Sequence, residues 1–152
     1  MPNYCHNVLS VVGSDTSWLD AYTSFYKPPF QRGQTPYLDF EKILPMPAAI
    51  DMNEVVTVTA PDGRPTDPIW YTWRMKHWGT KWGAMDCLLE QATFSFLTAW
   101  TPPRPIVREL ALLTNRPLML SYSEPEMGFD GDFIAYPDGA EYNDHRKFPL
   151  DH

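Results

Sequence analysis

The sequence predicts an α+β domain, an antiparallel sheet with helices packed on one face. Three observations carry this. Short β-rich runs alternate with helical stripes, yet some runs follow one another directly, as the strands of hairpins do. Proline is frequent, with 16 in 152 residues against a usual ~5%, which cuts the chain into short elements and excludes a helical bundle or coiled coil. Hydrophobic residues make up 43% and charged residues 20%, a composition that folds around a core instead of remaining disordered. One domain over residues 1–152 is expected, because compact domains cluster near ~100–150 residues. A chain this long buries enough surface to fold without disulfides or a metal.

Asn7 to Val12 (NVLSVV) is an apolar, β-branched run closed by Gly13 and reads as a first strand. Residues 14–17 offer N-caps, and Trp18, Tyr22, Phe25 and Tyr26 then recur at helical spacing, predicting a helix near 17–26 that Pro28-Pro29 stops. Tyr37 to Leu44 is compatible with a second strand, closed by Pro45-Met46-Pro47. Residues 48–67 mix the β-rich patch VVTVTA with the turn-forming PDGRPTDP, an excursion off the sheet as a hairpin arm or an ordered loop. Asp67-Pro68 starts a short extra helix, with Trp70, Trp73 and His77 on one face and Tyr71, Met75 and Trp78 on the next; Gly79 is its natural stop.

Strands follow near 84–91 and 93–100, the second alternating Phe94, Phe96, Thr98 and Trp100 with Ser95, Leu97 and Ala99. Ile106, Val107, Leu110 and Leu113 form a helical stripe over 104–114, ending near Asn115. Leu118 to Tyr122 is a strand. Asp132 to Tyr136 and Ala140 to Tyr142 make a hairpin about Pro137-Asp138-Gly139, and residues 143–152 read as a mobile tail. The expected core contains Leu9, Val11, Tyr22, Phe94, Phe96, Leu110 and Leu120.

The net charge of −7 is unevenly spread. From Pro117 to Asp144 there are seven acids and no base, whereas residues 1–116 are nearly neutral. That segment repels nucleic acid backbones, so direct DNA binding is disfavoured. It reads as a solvated acidic face or as an attraction for a basic partner. The N-terminal run shows no basic region ahead of an apolar stretch, and no apolar run approaches the ~20 residues of a membrane span. A cytoplasmic protein without membrane contact is expected, its two cysteines reduced.

The densest cluster of chemistry-bearing residues is WYTWRMKHWGTKW, residues 70–82. Trp73, Trp78 and Trp82 interleaved with Arg74, His77 and Lys81 are what an anionic nucleotide needs, rings to stack on bases and cations to neutralise phosphate. The competing reading is core, with basic side chains extending from it to water. The loop YSEPEMGFDGD (122–132) brings Glu124, Glu126, Asp130 and Asp132 together. It lacks the DxDxDG order of a calcium loop, so no metal is assigned, and the glycines mark a turn or bulge with Met127 and Phe129 pinning it to the core. A rim role in partner binding fits these acids.

No GxSxG, HExxH, Walker-type or GxGxxG string occurs, and no cofactor is implied. Pairing Cys87 with His77, or Cys5 with His6, would be needed for nucleophilic catalysis, and no motif supports it. His145 falls in the expected tail, a poor place for a positioned base.

Six strings occur together in order: Met1-Pro-Asn-Tyr-Cys-His-Asn7, Phe40-Glu-Lys-Ile-Leu-Pro-Met-Pro47, Trp70-Tyr-Thr-Trp73, Trp78-Gly-Thr-Lys-Trp-Gly-Ala84, Phe96-Leu-Thr-Ala-Trp-Thr-Pro-Pro103 and Tyr122-Ser-Glu-Pro-Glu-Met-Gly-Phe-Asp-Gly131. Together they resemble the phage- and plasmid-borne small proteins with a YubB-type ferredoxin-like domain. The resemblance spans most of the chain outside 48–67 and the last residues. It implies a ferredoxin-like fold and an origin in mobile genetic elements, and it carries no catalytic residues. Such elements often encode inhibitors of host immunity, anti-CRISPR proteins among them. The function expected is therefore a non-enzymatic binding protein that inhibits a host defence protein through a basic surface on that protein. Sequestration of an anionic nucleotide by a cage of Trp73, Trp78 and Lys81 is the alternative, a nucleotide-degrading enzyme a third reading, and self-association stays open.

Overall fold

The computed structural model describes residues 3–11, 17–25, 36–50, 52, 67–90 and 92–149. Six strands form one antiparallel sheet in the order β4-β5-β1-β6-β7-β8. They are β1 (Tyr4–Val11), β4 (Met85–Glu90), β5 (Thr93–Ala99), β6 (Leu118–Glu124), β7 (Phe129–Ala135) and β8 (Glu141–Lys147). A second, two-stranded sheet pairs β2 (Thr23–Ser24) with β3 (Tyr37–Leu38). The helices are a 3-10 helix (Ser17–Tyr22), α1 (Phe40–Ile43), α2 (Ile69–His77) and α3 (Arg104–Thr114). The α+β class and the antiparallel sheet agree with the sequence. Of the 48–67 excursion, residues 51 and 53–66 lie outside the described residues.

Alternation places the core. In β1, Cys5, Asn7 and Leu9 point inward, meeting Phe94, Phe96 and Thr98 of β5 and Leu120 and Tyr122 of β6 on the same face. Helix α3 lies over that face with Ile106, Val107, Leu110 and Ala111 buried, and α1 adds Phe40 and Ile43. Of the expected core residues, Leu9, Phe94, Phe96, Leu110 and Leu120 are buried; Val11 and Tyr22 are partly buried against them. Asn7 is the polar exception. Its Nδ2 donates to the Cys5 carbonyl at 3.1 Å and to Thr98 Oγ1 at 3.0 Å, since a buried amide without partners costs free energy.

Four local readings change. The expected 37–44 strand is only Tyr37–Leu38. Asp39 then accepts the Glu41 N–H at 3.0 Å and caps α1, and Phe40 and Ile43, three apart, bury one helical face. Over 17–25 the expected helix is a 3-10 turn ending at Tyr22, whose carbonyl accepts from Asp39 N at 2.9 Å as the chain turns into β2; Tyr26 and the Pro28-Pro29 stop lie outside the described residues. The α3 stripe ends at Ala111, with Leu113 exposed. Met127, expected to pin its loop, is exposed on the β6–β7 turn, whereas Phe129 does pack on the core.

The expected tail also changes, because residues 143–147 are the second half of β8; residues 150–152 lie outside the described residues. Every side chain of this strand is exposed, so no alternation announces it. Tyr122 holds it from below. The phenol reaches over Gly131 to share a 2.8 Å hydrogen bond with His145 Nδ1 and to accept one from Asn143 Nδ2 at 3.0 Å. A Cβ at position 131 would stand 2.3 Å from that phenol oxygen, so only glycine lets the ring cross β7.

Because α3 is the main cover of the sheet, Leu110→Ala is expected to destabilise the fold by ~2–5 kcal/mol. At this chain length that is a fall of roughly 2–4 °C in Tm per kcal/mol, read by thermal melting; an unchanged Tm would contradict the packing.

Candidate functional site

The Trp-rich segment is divided by the end of α2. Trp78 caps the helix and is buried, its indole N–H donating to the Leu44 carbonyl at 2.9 Å and its ring meeting Phe40 edge-on. Gly79 follows in the left-handed region at φ 81°, turning the chain away. Trp73 is half-buried, stacked on His77 at 4.6 Å and edge-on to Trp78. Arg74 lies 4.4 Å over the Trp78 ring and 5.6 Å over Trp70, and donates to the Lys81 carbonyl at 3.1 Å. Burial holds the pKa of its guanidinium below the usual value, with Glu41 opposing, and its Nε has no partner. Lys81 stands 4.4 Å over the exposed ring of Trp82. The lysine therefore faces one ring, and Trp73 and Trp78 serve the core.

The acids of 122–132 also divide. Glu124 is fully buried and accepts the backbone N–H groups of Glu126 at 3.1 Å and Met127 at 2.7 Å, closing the β6–β7 turn. Glu126 is exposed on that turn. Asp130 and Asp132 stand on the outer face of β7, where Arg146 of β8 gathers them with Asp144 at 2.8, 3.3 and 2.6 Å. The hydrogen bonds it donates to Asp130 and Asp132, and then to Asp144, raise the pKa of this guanidinium further. Among the described residues no group of three or more His, Cys, Asp or Glu side chains is placed to hold a metal ion.

These acids belong to a face that no helix among the described residues covers. Strand register lines up three rows across it. Leu88, Ser95, Val8, Ser121, Asp132 and Asp144 form one row, and Glu90, Thr93, Ser10, Met119, Ile134 and Tyr142 form the next. On the other side lie Leu97, His6, Ser123, Asp130 and Arg146. Val8, Met119 and Tyr142 are 37%, 39% and 57% exposed. Beside them a groove of about 420 Å³ opens, lined by Val11, Pro117, Met119, Ile134 and Tyr136 among others. An apolar strip thus borders a carboxylate ladder containing a single guanidinium. Asp130 and Asp132 stood out in the sequence, whereas Met119, Ile134, Tyr142, Asp144 and Arg146 did not, since their adjacency depends on strand register and β8 has no apolar pattern.

Neither cysteine is poised for chemistry. Burial, helped by the negative field of Glu124, pushes the Cys5 thiol up to about 12. Burial likewise lifts Cys87 to about 11. Cys5 points into the core and its neighbour His6 to the opposite face, as adjacent strand residues must. A thiol held neutral is a weak nucleophile.

Residues 77–146 match the ferredoxin-like domain in Api92-like protein. This stretch runs from the end of α2 through β8 and leaves the central strand β1 outside it. The ferredoxin-like domain also has a counterpart among solved structures, the crystal structure of a protein api92 from Yersinia pseudotuberculosis, with a TM-score of 0.52 and 15% sequence identity over 78% of this chain. At that identity the likeness shows the fold alone. The chain spans 43% of the length of that protein. No curated protein is significantly similar in sequence. No helix among the described residues is long and apolar enough to cross a membrane.

The buried thiols give a pH dependence. Their folded pKa values lie above the ordinary 9.0, so the stability they favour is fully present below pH 9 and is lost as pH rises through about 11 and then about 12. Tm of the unmodified chain should fall faster with alkali than that of a Cys5→Ser/Cys87→Ser variant. Parallel curves would overturn the neutral-thiol assignment.

Proposed function

We propose that this chain is a non-catalytic binding protein that captures a protein partner on the uncovered face of its sheet. The observation that supports this is the apolar strip of Val8, Met119, Ile134 and Tyr142 running beside Asp130, Asp132 and Asp144. Exposed apolar side chains beside like-signed charge suit a partner with an apolar anchor flanked by lysine or arginine. The anchor supplies desolvation, and the charges speed encounter and fix orientation. Arg146 neutralises part of the ladder without cancelling it.

Taken with the sequence resemblance to phage- and plasmid-borne proteins, the partner is a host protein with a basic surface, and the role is inhibition of a host defence system in the host cytoplasm. Nucleotide sequestration has less behind it, because Lys81 covers Trp82 and the Trp78 ring is enclosed.

Affinity capture from a host lysate tests the reading, with the unmodified chain and a Met119→Asp variant as baits. A basic protein retained by the first and lost from the second is the expected result, its retention weakening as salt rises. Reversing Asp130 and Asp132 to Lys should slow association while leaving Tm nearly unchanged, since exposed ion pairs contribute only ~0–1 kcal/mol. Equal capture by both baits, or association indifferent to salt, would sink the proposal.

A further inference from the structure

The sheet ends in two different edges. At β4 the register shifts between Met85 and Leu88, and Asp86 takes a left-handed φ of 49°. Such a bulge breaks the row of backbone groups an incoming strand would need. At β8 the register with β7 is regular over the whole strand, from Glu141 to Lys147.

Which backbone groups β8 leaves free follows from the hydrogen bonds at its ends. Tyr136 N donates to the Ala140 carbonyl at 2.9 Å, and Phe148 N to the Gly128 carbonyl at 2.8 Å. In an antiparallel ladder the bonded pairs alternate, so the even-numbered residues of β8 bond to β7. The odd-numbered residues Glu141, Asn143, His145 and Lys147 direct their N–H and C=O groups outward, along an edge whose side chains are all exposed.

The order of side chains along that edge is EYNDHRK, with the acid at the start and the bases at the end. We infer that β8 pairs antiparallel with β8 of a second copy of this chain, about a two-fold axis at Asp144. Full overlap of the seven residues sets Glu141, which Arg108 of its own α3 already holds at 2.6 Å, opposite Lys147 of the partner subunit, and Asn143 opposite the partner subunit's His145. These are the outward-bonding pairs, so the backbone parity fits. On the other face Tyr142 meets the partner's Arg146, a cation over an exposed ring. Only Asp144 meets its own kind, and each copy of Asp144 is already held by its own Arg146 at 2.6 Å. Opposite charges facing one another across strands favour pairing. A strand protected against its own copies would place like charges there.

The two-fold axis runs perpendicular to the sheet, so the uncovered faces of both copies lie on the same side and join into one continuous surface. A single edge pairing buries little area beside a standard interface, so the dimer dissociates on dilution. The inference stands apart from the partner reading, because it needs no ligand.

Sedimentation of the full chain over a concentration series tests it. The expected result is a reversible monomer–dimer equilibrium that Lys147→Glu weakens by at least about tenfold. Lys147→Pro, which removes an outward N–H, should abolish it without lowering Tm by more than a few degrees. A chain that is monomeric at every concentration overturns the inference and leaves the edge to a strand of another protein. A dimer indifferent to Lys147→Glu overturns the pairing.

Discussion

A six-stranded sheet has two faces, and among the described residues the helices cover one of them. The assignment follows strand by strand from side-chain alternation. Once Cys5, Asn7 and Leu9 face inward, pairing on either side of β1 commits Phe94, Phe96 and Thr98 of β5 and Leu118, Leu120 and Tyr122 of β6 to the same interior. A slip of one residue would bring Val8 and Ser121 inside and expel Leu9 and Leu120. The turn of Trp78 into the interior and the packing of α1 and α3 complete that layer. The opposite face must remain compatible with water, and it does so by spacing serines and charges between its apolar side chains.

Polar groups on the covered side are handled by enclosure within backbone. Asn7 bonds to β1 and β5, Thr80 Oγ1 donates to the Ala99 carbonyl at 2.8 Å, and Glu124 closes its turn by accepting two N–H groups. On the uncovered side the polar groups meet one another or solvent. Arg146 is the clearest contrast to Glu124. Its planar fork reaches three carboxylates at once, a geometry an ammonium does not reproduce.

What was legible in the sequence was whatever buries an apolar pattern. The strands expected near 93–100 and 118–122, the first strand up to Val11 and the helix over 104–114 carry such patterns, and the structure has them; the 84–91 strand is present as Met85–Glu90 with its side chains half-buried or exposed, and residues 12 and 91 lie outside the described residues. Residues 37–44 misled because Leu38, Phe40, Ile43 and Leu44 suit a strand as well as a turn of helix, and the decision rests on one cap, Asp39. The strand β8 was illegible past Tyr142 because none of its side chains is buried. The candidate site shared that fate. Trp-rich and acidic strings are visible as strings, but which tryptophan turns inward is decided at Gly79, and which acids stand together is decided by register with β8. A periodicity argument sees one element at a time, whereas this face is assembled from six.

Tyr122 and Gly131 face each other across β6 and β7, and the phenol occupies the space that any side chain at position 131 would need. The two positions are therefore not independent characters in the history of this sequence. A lineage that placed a side chain at 131 first would displace the ring and release the edge strand. One that shortened Tyr122 first would leave a glycine in mid-strand with nothing packed on it. Either path passes through a poorer intermediate, so the pair is expected to be inherited together or exchanged together.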